Sequence, residues 1–346
     1  MNILLKGGIF RNMKSNFNYK KPLLVTDSRL SESINIFKNI YPKSIIYDKI
    51  LNEPTIEDVN AIQKYMDNNI DCIVALGGGS PIDAAKAANI GFPHINNQSK
   101  NKVPLIAIPT TAGTGAEVTP FSVIKVGTEK VLITNKELIP SISLIDYELT
   151  LTKPPLLTAI TGMDALCHAL EAFVSKKNNV KSDEYALKSL KNIGESLTQC
   201  VLDPTNSSRE KMMVGSLQAG LAFSNSSVTL VHGMSRPLGR FNIPHGMANA
   251  QLLVPITEFS YIGDKERYNI AKCVLSPNDD RDIVTYLSDL VKEINIPLLK
   301  DSVNHVEFNE SIPDMVEEAM NSGSPDNNPR DITYREMELL YKILIK

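Results

Sequence analysis

Three of the five histidines of this chain stand in sequence contexts that could hold a metal ion. Asp164 and His168 lie four residues apart in an apolar helical pattern, so they share one face of the predicted helix. His232 and His245 each stand directly before a Gly-Met pair. One carboxylate with several imidazoles is a ligand set that suits iron(II) or zinc. The alternative is an ordinary hydrogen bond between Asp164 and His168 on the surface of a helix.

A run of glycines at Gly77–Ser80 indicates a binding site for a phosphate group. It follows the apolar run DCIVAL and opens a helical pattern, with Pro81 at the favoured first helical position. Glycine lets a ligand approach the backbone closely, and the free N–H groups at a helix N-terminus attract anions. The spacing differs from the GxGxxG fingerprint of dinucleotide-binding folds. The alternative is a tight strand-to-helix turn that binds no ligand.

Two other polar segments follow predicted strands and therefore lie at the edge of the sheet where ligands of open α/β folds bind. The loop Pro109–Glu117 carries hydroxyl groups and glycines that could bind phosphate or ribose, and is otherwise a plain polar loop. Asp27 ends the apolar run PLLV. A carboxylate there could accept hydrogen bonds from a ribose diol and repel a 2′-phosphate, which favours NAD over NADP. Its alternative role is to cap the helix that follows.

The elements that must position these residues change in character along the chain. The part from 1 to 150 alternates between helical patterns and short apolar runs, which is typical of buried parallel strands. These runs lie at 22–27, 44–48, 71–79, 104–111 and 142–149. Beyond Pro154 and Pro155 the strand-like runs end and long helical patterns take over. The chain is therefore predicted to hold an α/β dinucleotide-binding domain at 1–150 and an all-α domain at 151–346.

Composition narrows the class of protein further. The chain of 346 residues is 42% hydrophobic and 22% charged, with a formal net charge of −3. This balance offers no basic face for nucleic acid, and no apolar run is expected to reach the roughly 20 residues that span a bilayer. The four cysteines lie far apart without a CxxC pair, which predicts reduced, mostly buried thiols and a cytoplasmic location.

In this order, the motifs resemble those of the iron-containing, or group III, alcohol dehydrogenase family over nearly the whole chain. The matching segments are VTD at 25–27, GGGSPIDAAK at 77–86, IPTTAGTGAEVT at 108–119, GMDALCHALEAF at 162–173, HGMSRPLG at 232–239, PHGMANA at 244–250 and DNNPR at 326–330. The resemblance implies a fold like that of dehydroquinate synthase. In that fold an α/β dinucleotide-binding domain precedes an all-α domain, and the active cleft lies between them.

The resemblance also implies the residues of the site. The implied metal ligands are Asp164, His168, His232 and His245, which would hold Fe2+ or, alternatively, Zn2+. The implied cofactor is NAD in preference to NADP, with Asp27 facing the adenosine ribose. The implied cofactor contacts are Gly78, Gly79, Ser80, Asp83, Thr110, Thr111, Thr114, Thr119 and Lys130. The family resemblance also suggests a homodimer.

The chain departs from the family pattern in three places. It is shorter near the N-terminus, and the segment from His232 to His245 is one residue shorter than usual. Arg236 stands where many members carry a histidine near the substrate or the nicotinamide. An arginine cannot shuttle a proton near neutral pH, but it can bind a carboxylate or a phosphate. Arg236 is therefore expected to contact an anionic group of the substrate, or alternatively to turn away and pair with an acid.

The expected activity is metal-dependent hydride transfer between a nicotinamide cofactor and a small alcohol or aldehyde. Two alternatives stay open. A lyase or cyclase like dehydroquinate synthase would also bind a metal and NAD. A non-catalytic protein would keep the cofactor-binding fold without turnover, and the shortened segment between His232 and His245 is the feature that favours it.

Overall fold

Six strands form a parallel sheet in the N-terminal part of the chain, within the residues that the computed structural model describes: 1–66, 69–94, 102–127 and 129–346. The strands of this sheet are β1 (Asn2–Leu5), β2 (Leu23–Val25), β3 (Ile45–Tyr47), β4 (Ile73–Gly77), β5 (Leu105–Pro109) and β8 (Ile142–Ile145). A separate hairpin consists of β6 (Phe121–Val126) and β7 (Glu129–Thr134). The helices of this part are α1 (Ser31–Ile40), α2 (Ile56–Met66) and α3 (Gly79–Asn89). The chain divides into two units, Met1–Thr152 and Lys153–Lys346.

The sheet has the strand order β1-β8-β5-β4-β2-β3, and its neighbouring strands are parallel. Each of the five predicted apolar runs contains one of these strands, which confirms the prediction. Ile73 and Ala75 of β4 pack into one hydrophobic cluster with α2 and α3, whereas Val74 and Leu76 pack into another with α1. Because helices cover both faces of the sheet, its central strands are apolar without alternation.

Three strands were missed by sequence analysis because each of them is partly exposed. In the described part of the chain, β1 pairs with β8 alone, and its Ile3 and Leu5 are 38% and 42% exposed. The antiparallel hairpin β6–β7 mixes buried Ile124 and Ile133 with exposed charged residues. Short strands in which polar residues interrupt the apolar ones carry little periodic signal.

The second unit is helical throughout its described residues, 153–346. Its helices are α4 (Pro155–Val174), α5 (Val180–Gly194), α6 (Leu197–Leu202), α7 (Asn206–Asn225), α8 (Leu230–Ser235), α9 (His245–Ser260), α10 (Lys265–Leu275), α11 (Ile283–Glu293), α12 (His305–Asn321) and α13 (Tyr334–Ile343). The predicted succession of an α/β part and a helical part is confirmed.

Helix α4 forms the core of the second unit, where it packs against α5, α7 and α9. By length and composition alone α4 could cross a membrane, but 83% of its apolar window is buried inside the protein. The expectation that no apolar stretch reaches this length was therefore wrong. Burial on all sides explains its composition, because a core helix is apolar around its whole circumference. Its Cys167 is a buried free thiol, like two of the other three cysteines, and Cys273 is exposed.

Candidate metal centre and cofactor-binding edge

The four residues predicted to bind a metal lie where three helices meet. Helix α4 presents Asp164 and His168, α8 carries His232, and α9 begins at His245. The Nε2 atoms of His232 and His245 each lie 3.7 Å from Oδ1 of Asp164, and Nδ1 of His168 lies 3.9 Å from it. Donor atoms of Asp164, His232 and His245 all lie within 4.8 Å of one another. His168 stands beside this group, with its ring stacked on that of His232 at 4.4 Å between centroids.

This arrangement fits a divalent metal. Two ligand atoms of a tetrahedral ion with bonds of about 2.1 Å are ~3.4 Å apart, close to the 3.7 Å that separates Oδ1 of Asp164 from each of two imidazole nitrogens. Asp164, His168 and His232 are buried, and a buried carboxylate is costly unless a cation balances it. Among the described residues, Asp164 forms its ion pairs with imidazoles, which are cations only when protonated. A bound divalent metal would supply the positive charge and leave these imidazoles neutral.

Asn249 marks the point on which the ligand atoms converge. Its buried side chain lies on α9, one turn after His245. Nδ2 of Asn249 donates to Oδ1 of Asp164 at 2.7 Å and lies 3.2 Å from Nε2 of both His232 and His245. Oδ1 of Asn249 is buried without a hydrogen-bond partner. Lone pairs of three side chains therefore face the NH2 group of one amide, which is the arrangement expected of ligands around a cation. The oxygen of the same amide lacks a hydrogen-bond partner among the described residues.

The charges of the site shift its pKa values strongly. Burial alone would raise the pKa of Asp164, but the charges of His168, His245 and His232 outweigh burial and lower it well below its usual range. Burial likewise opposes the charge of His232, but Glu171 and Asp164 raise its pKa to about 9. These two carboxylates therefore favour a cation at this place, for which a bound metal would compete with protons.

Glu171 is a residue of the site that sequence analysis missed. It lies seven residues after Asp164 on the same face of α4 and is buried. Its carboxylate accepts hydrogen bonds from Oγ1 of Thr229 at 2.6 Å, from N–H of Val231 at 2.7 Å and from Nδ1 of His232. With a proton on Nδ1, the Nε2 lone pair of His232 is left to face Asp164. The helical spacing within GMDALCHALEAF was the signal that could have found Glu171.

The shortened segment between His232 and His245 still brings both histidines to the same carboxylate. It continues α8 as a 3₁₀ helix, Arg236–Phe241, and turns at Asn242 with a φ of 57°. Helix α9 then approaches α4 so closely that a Cβ at Gly246 would lie 2.3 Å from the carbonyl oxygen of Ile160. Only glycine permits this approach, which explains why the residue after His245 lacks a side chain.

Arg236 lies at the start of the 3₁₀ helix that follows α8 and is half-buried. Burial lowers the pKa of its guanidinium, against the opposing charges of Glu171 and Glu318. Arg236 forms no hydrogen bond and no ion pair with any residue that the structure describes. Glu318 pairs instead with Arg240 at 2.8 Å. In the structure, Arg236 therefore has no acidic partner among the described residues, and its contact with a substrate stays a prediction.

The ends of the neighbouring strands β2, β4 and β5 bring the predicted cofactor residues to one edge of the sheet. Helix α3 begins at Gly79, and Gly78 before it offers no side-chain cap to the free N–H groups. A Cβ at Gly78 would lie 3.5 Å from Oγ1 of Thr111, and one at Gly79 would lie 3.2 Å from Cγ2 of Thr114. The two loops thus meet at an uncapped helix N-terminus, which fits a pyrophosphate.

Two of the predicted cofactor residues make contacts that hold the hairpin β6–β7 on α3. Nζ of the buried Lys86 donates to the Thr119 hydroxyl at 3.1 Å and to the carbonyl of Phe121 at 2.9 Å. The carboxylate of Asp83 accepts from N–H of Val123 at 3.1 Å. Lys86 was not singled out by sequence analysis, although it closes the motif GGGSPIDAAK. A role of Thr119 and Asp83 toward the cofactor stays a prediction.

The remaining predicted contacts lie on the same loops or on the hairpin. Ser80 belongs to the first turn of α3 and is half-buried. Thr110 is buried, and its N–H donates to the carbonyl of Gly77 at 2.9 Å, which joins the two loops. Lys130 lies on β7, where its Nζ is 2.5 Å from Oε1 of Glu53. Their contact with a cofactor stays a prediction.

Asp27 caps the 3₁₀ helix Ser28–Leu30, the alternative role considered for it. Its carboxylate accepts from the backbone N–H of Arg29 at 2.8 Å. The guanidinium of Arg29 also binds both carboxylate oxygens, with Nε at 2.9 and 2.7 Å, and its Nη2 donates to the carbonyl of Leu51. Asp27 still lies at the end of β2, beside the glycine turn that follows β4. Its contact with a ribose stays a prediction.

Comparison with known proteins identifies relatives of both parts of the chain. The family described as iron-containing alcohol dehydrogenase matches residues 2–147, and the C-terminal part of the Fe-containing alcohol dehydrogenase family matches residues 158–345. The chain is 37% identical to the NADPH-dependent butanol dehydrogenase of Clostridium saccharobutylicum over 295 residues, which cover 79% of this chain and 76% of that relative.

Two solved structures are similar along nearly the whole chain. The crystal structure of a 1,3-propanediol oxidoreductase has a TM-score of 0.90 and 29% identity, and the match covers 99% of this chain and 97% of the other. The structure of sulfoacetaldehyde reductase from Bifidobacterium kashiwanohense in complex with NAD+ has a TM-score of 0.87 and 28% identity, with 100% and 97% covered.

Proposed function

The chain belongs to the iron-containing alcohol dehydrogenase family, and from this premise we propose that it interconverts a small alcohol and its aldehyde with NAD and a divalent metal. Membership makes it an oxidoreductase of the NAD(P)-dependent alcohol dehydrogenase class. The observation that carries the proposal is the convergence of His232 and His245 on the carboxylate of Asp164, with His168 beside them. Fe2+ is the proposed metal and Zn2+ the alternative, because this ligand set accepts either ion.

Residues of the chain would hold each reacting group in place. When bound, the metal supplies a Lewis acid that lowers the pKa of an alcohol and polarises a carbonyl, and the nicotinamide carries the hydride. Asp164 contributes the negative charge of the ligand set, and Glu171 fixes the ring of His232 through Nδ1. Asp164 and His168 are buried, which would keep water from their side of the centre, whereas the His245 side chain is 45% exposed.

We propose NAD as the main cofactor, bound along the edge formed by β2, β4 and β5. The N–H groups at the start of α3 would bind the pyrophosphate, together with Gly78, Gly79 and the threonines of the neighbouring loop. Asp27 at the end of β2 would accept hydrogen bonds from the adenosine ribose. The relative from Bifidobacterium kashiwanohense was solved with NAD+, which supports this choice.

We propose further that the substrate carries an anionic group that binds Arg236. The guanidinium of Arg236 is half-buried and lacks a partner among the described residues, although an arginine that is partly withdrawn from water needs hydrogen-bond acceptors. It lies four residues after His232, one helical turn away. A relative named for sulfoacetaldehyde, an aldehyde with a sulfonate group, supports a substrate of this class.

Arg236→Ala is expected to lower kcat/KM for an anionic aldehyde by about 100-fold and for a neutral aldehyde of the same length by less than about threefold, because only the charged substrate loses a charge-assisted hydrogen bond. Steady-state kinetics with butanal and succinate semialdehyde would measure this difference. Arg281→Ala is the matched control, since Arg281 pairs with Asp279 and Asp289 in the same unit and its loss is expected to affect both substrates equally. An equal loss for both aldehydes in Arg236→Ala would refute the anionic substrate.

The function as a whole is tested by metal analysis of anaerobically purified protein, paired with NADH oxidation against a panel of aldehydes. We expect about one iron or zinc per chain and turnover of at least one small aldehyde. Metal and NAD binding without oxidation of NADH would favour the lyase alternative, and absence of both would favour the non-catalytic one. A homodimer and a cytoplasmic location belong to the proposal as well, and light scattering of the purified protein measures the first.

A further inference from the structure

The motif DNNPR at 326–330 lies in the short connection between α12 and α13 and overlaps the 3₁₀ helix Pro325–Asn327. It holds none of the predicted metal ligands or cofactor contacts. Its two asparagines are nevertheless buried, with Asn327 3% and Asn328 0% exposed. Because a buried amide needs hydrogen-bond partners, the partners of these side chains indicate what the motif does.

Asn327 joins the end of α4 to the start of α8. Its backbone carbonyl accepts the N–H of Lys176 at 2.8 Å, two residues beyond the end of α4. Its side-chain Nδ2 donates to Oγ of Ser227 at 2.9 Å and to the carbonyl of Val228 at 3.1 Å, just before α8. One residue therefore fixes the helix that carries Asp164 and the helix that carries the next predicted ligand.

Asn328 and Arg330 hold the end of the third helix of the centre, α9, which begins at His245. Nδ2 of Asn328 donates to Oγ of Ser260 at 3.0 Å, and this hydroxyl donates to Oδ1 of Asn328 at 3.2 Å. Nη1 of Arg330 donates to the carbonyl of Phe259 at 3.0 Å, and the guanidinium lies 3.8 Å from the centre of the Phe259 ring. The motif thus contacts or adjoins all three helices that carry the predicted ligands.

The same connection packs against α8 at the residue that follows His232. A Cβ at Gly233 would lie 3.1 Å from Cδ of Pro325 and 3.4 Å from Cβ of Ser324. A side chain at 233 would therefore press α8 away from the connection, and glycine permits the close approach. This packing adds to the hydrogen bonds of Asn327 in fixing α8.

The contacts of Asn327 lead to the metal centre through Glu171. Thr229 follows directly after Val228, and its Oγ1 donates to the Glu171 carboxylate at 2.6 Å. The same carboxylate accepts from Nδ1 of His232. Since Asn327 fixes the chain on both sides of this contact, it sets the spacing between Glu171 and its donors. A partner of this kind holds a ligating imidazole in its tautomer and orientation.

We infer that Asn327 is a positioning residue of the metal centre. It holds α8 against the end of α4 so that Glu171 keeps Nε2 of His232 directed at Asp164. The inference rests on the proposed function, because it assumes that these side chains bind a divalent metal. It deepens that function by assigning the DNNPR motif to the same centre.

Asn327→Leu approximately preserves the side-chain volume and removes both side-chain hydrogen bonds. We expect the metal to dissociate about 10-fold faster and the visible spectrum of the cobalt(II) form to shift, because the ring of His232 is held less firmly. Transfer of cobalt(II) from the full-length protein to an excess of chelator, well below the melting temperature, measures the rate.

Asn192→Leu is the matched control for a loss of stability alone. It makes the same chemical change in the same unit and removes the hydrogen bond from Nδ2 of Asn192 to Gln218 at 2.9 Å, between α5 and α7. It is expected to lower the melting temperature while the dissociation rate stays within about twofold of the wild type and the cobalt spectrum is unchanged.

A double variant tests the route through Glu171. In a Glu171→Gln background, Asn327→Leu is expected to change the dissociation rate by less than about twofold, since residues that act through one contact are not additive. Ser227→Ala removes a single hydrogen bond from Asn327 and is expected to accelerate dissociation about threefold, which keeps the test open if Asn327→Leu does not fold.

The outcomes separate the inference from the proposed function. A wild-type dissociation rate and cobalt spectrum in Asn327→Leu, or in Ser227→Ala where only that variant folds, would overturn the inference. So would the same acceleration by Asn327→Leu with and without Glu171→Gln. A wild-type protein that binds neither cobalt(II) nor zinc would instead overturn the proposed function.

Discussion

Asp164→Asn is expected to release the metal and to lower kcat/KM by at least about 1000-fold. The reason is that the Lewis acid stabilises the transition state by several kcal/mol, and each ~1.4 kcal/mol corresponds to a factor of ten in rate. Oδ1 of Asp164 lies 3.7 to 3.9 Å from a ring nitrogen of each of the three histidines. The amide keeps the shape of the carboxylate but removes the charge that attracts the cation. Elemental analysis after gel filtration would measure the metal, and steady-state kinetics the activity.

A matched variant separates the loss of metal from the loss of folded protein. Asp183→Asn makes the same chemical change in the same unit and breaks an ion pair with Arg267, away from the ligands. It is expected to lower the melting temperature while retaining metal and activity. If Asp164→Asn kept a full complement of iron or zinc and more than about a tenth of the activity, the metal centre would not be where we place it.

Much of the architecture could be predicted from the sequence because its core elements have strong patterns. Parallel strands covered on both faces are continuous apolar runs, and the helices of the second unit are long. β1 and the hairpin β6–β7 lack such a pattern because one side of each is exposed. Their positions depend on pairing with β8 and on the contacts of Lys86, which the sequence does not reveal.

In the candidate site too, residues of a distinctive type could be predicted from the sequence, whereas residues defined by their tertiary contacts could not. Histidine is rare in this chain, so His168, His232 and His245 could be singled out by type and context. Glutamate is common on helix surfaces, so its type alone did not single out Glu171. Its role becomes visible only in the fold, where Thr229 and Val231 at the start of α8 donate hydrogen bonds to its carboxylate. Asp27 and Arg29 are close in sequence, but only the folded backbone shows that Asp27 caps the 3₁₀ helix and that its carboxylate pairs with the Arg29 guanidinium.

Glu171→Gln is expected to weaken metal binding 10- to 100-fold by reversing the tautomer of His232. The carboxylate now accepts from Nδ1 of His232 as well as from Thr229 and Val231. An amide has one oxygen, which the two partners on Oε1 would keep, and its NH2 group would donate to Nδ1. His232 would then carry its proton on Nε2, the nitrogen that faces Asp164, where it cannot bind a metal.

Two readouts other than activity measure this positioning role. Competition with a chelator gives the metal affinity, and the visible spectrum of the cobalt(II) form reports whether one imidazole has left the ligand set. Thr229→Val is the matched control, because it removes a hydrogen bond from the same carboxylate without touching Nδ1 of His232. We expect it to lower thermal stability about as much as Glu171→Gln and to leave the cobalt spectrum unchanged. Equal metal affinity in Glu171→Gln and wild type would contradict this role, because His232 with its proton on Nε2 could not bind the metal. Glu171 would then contribute to packing alone.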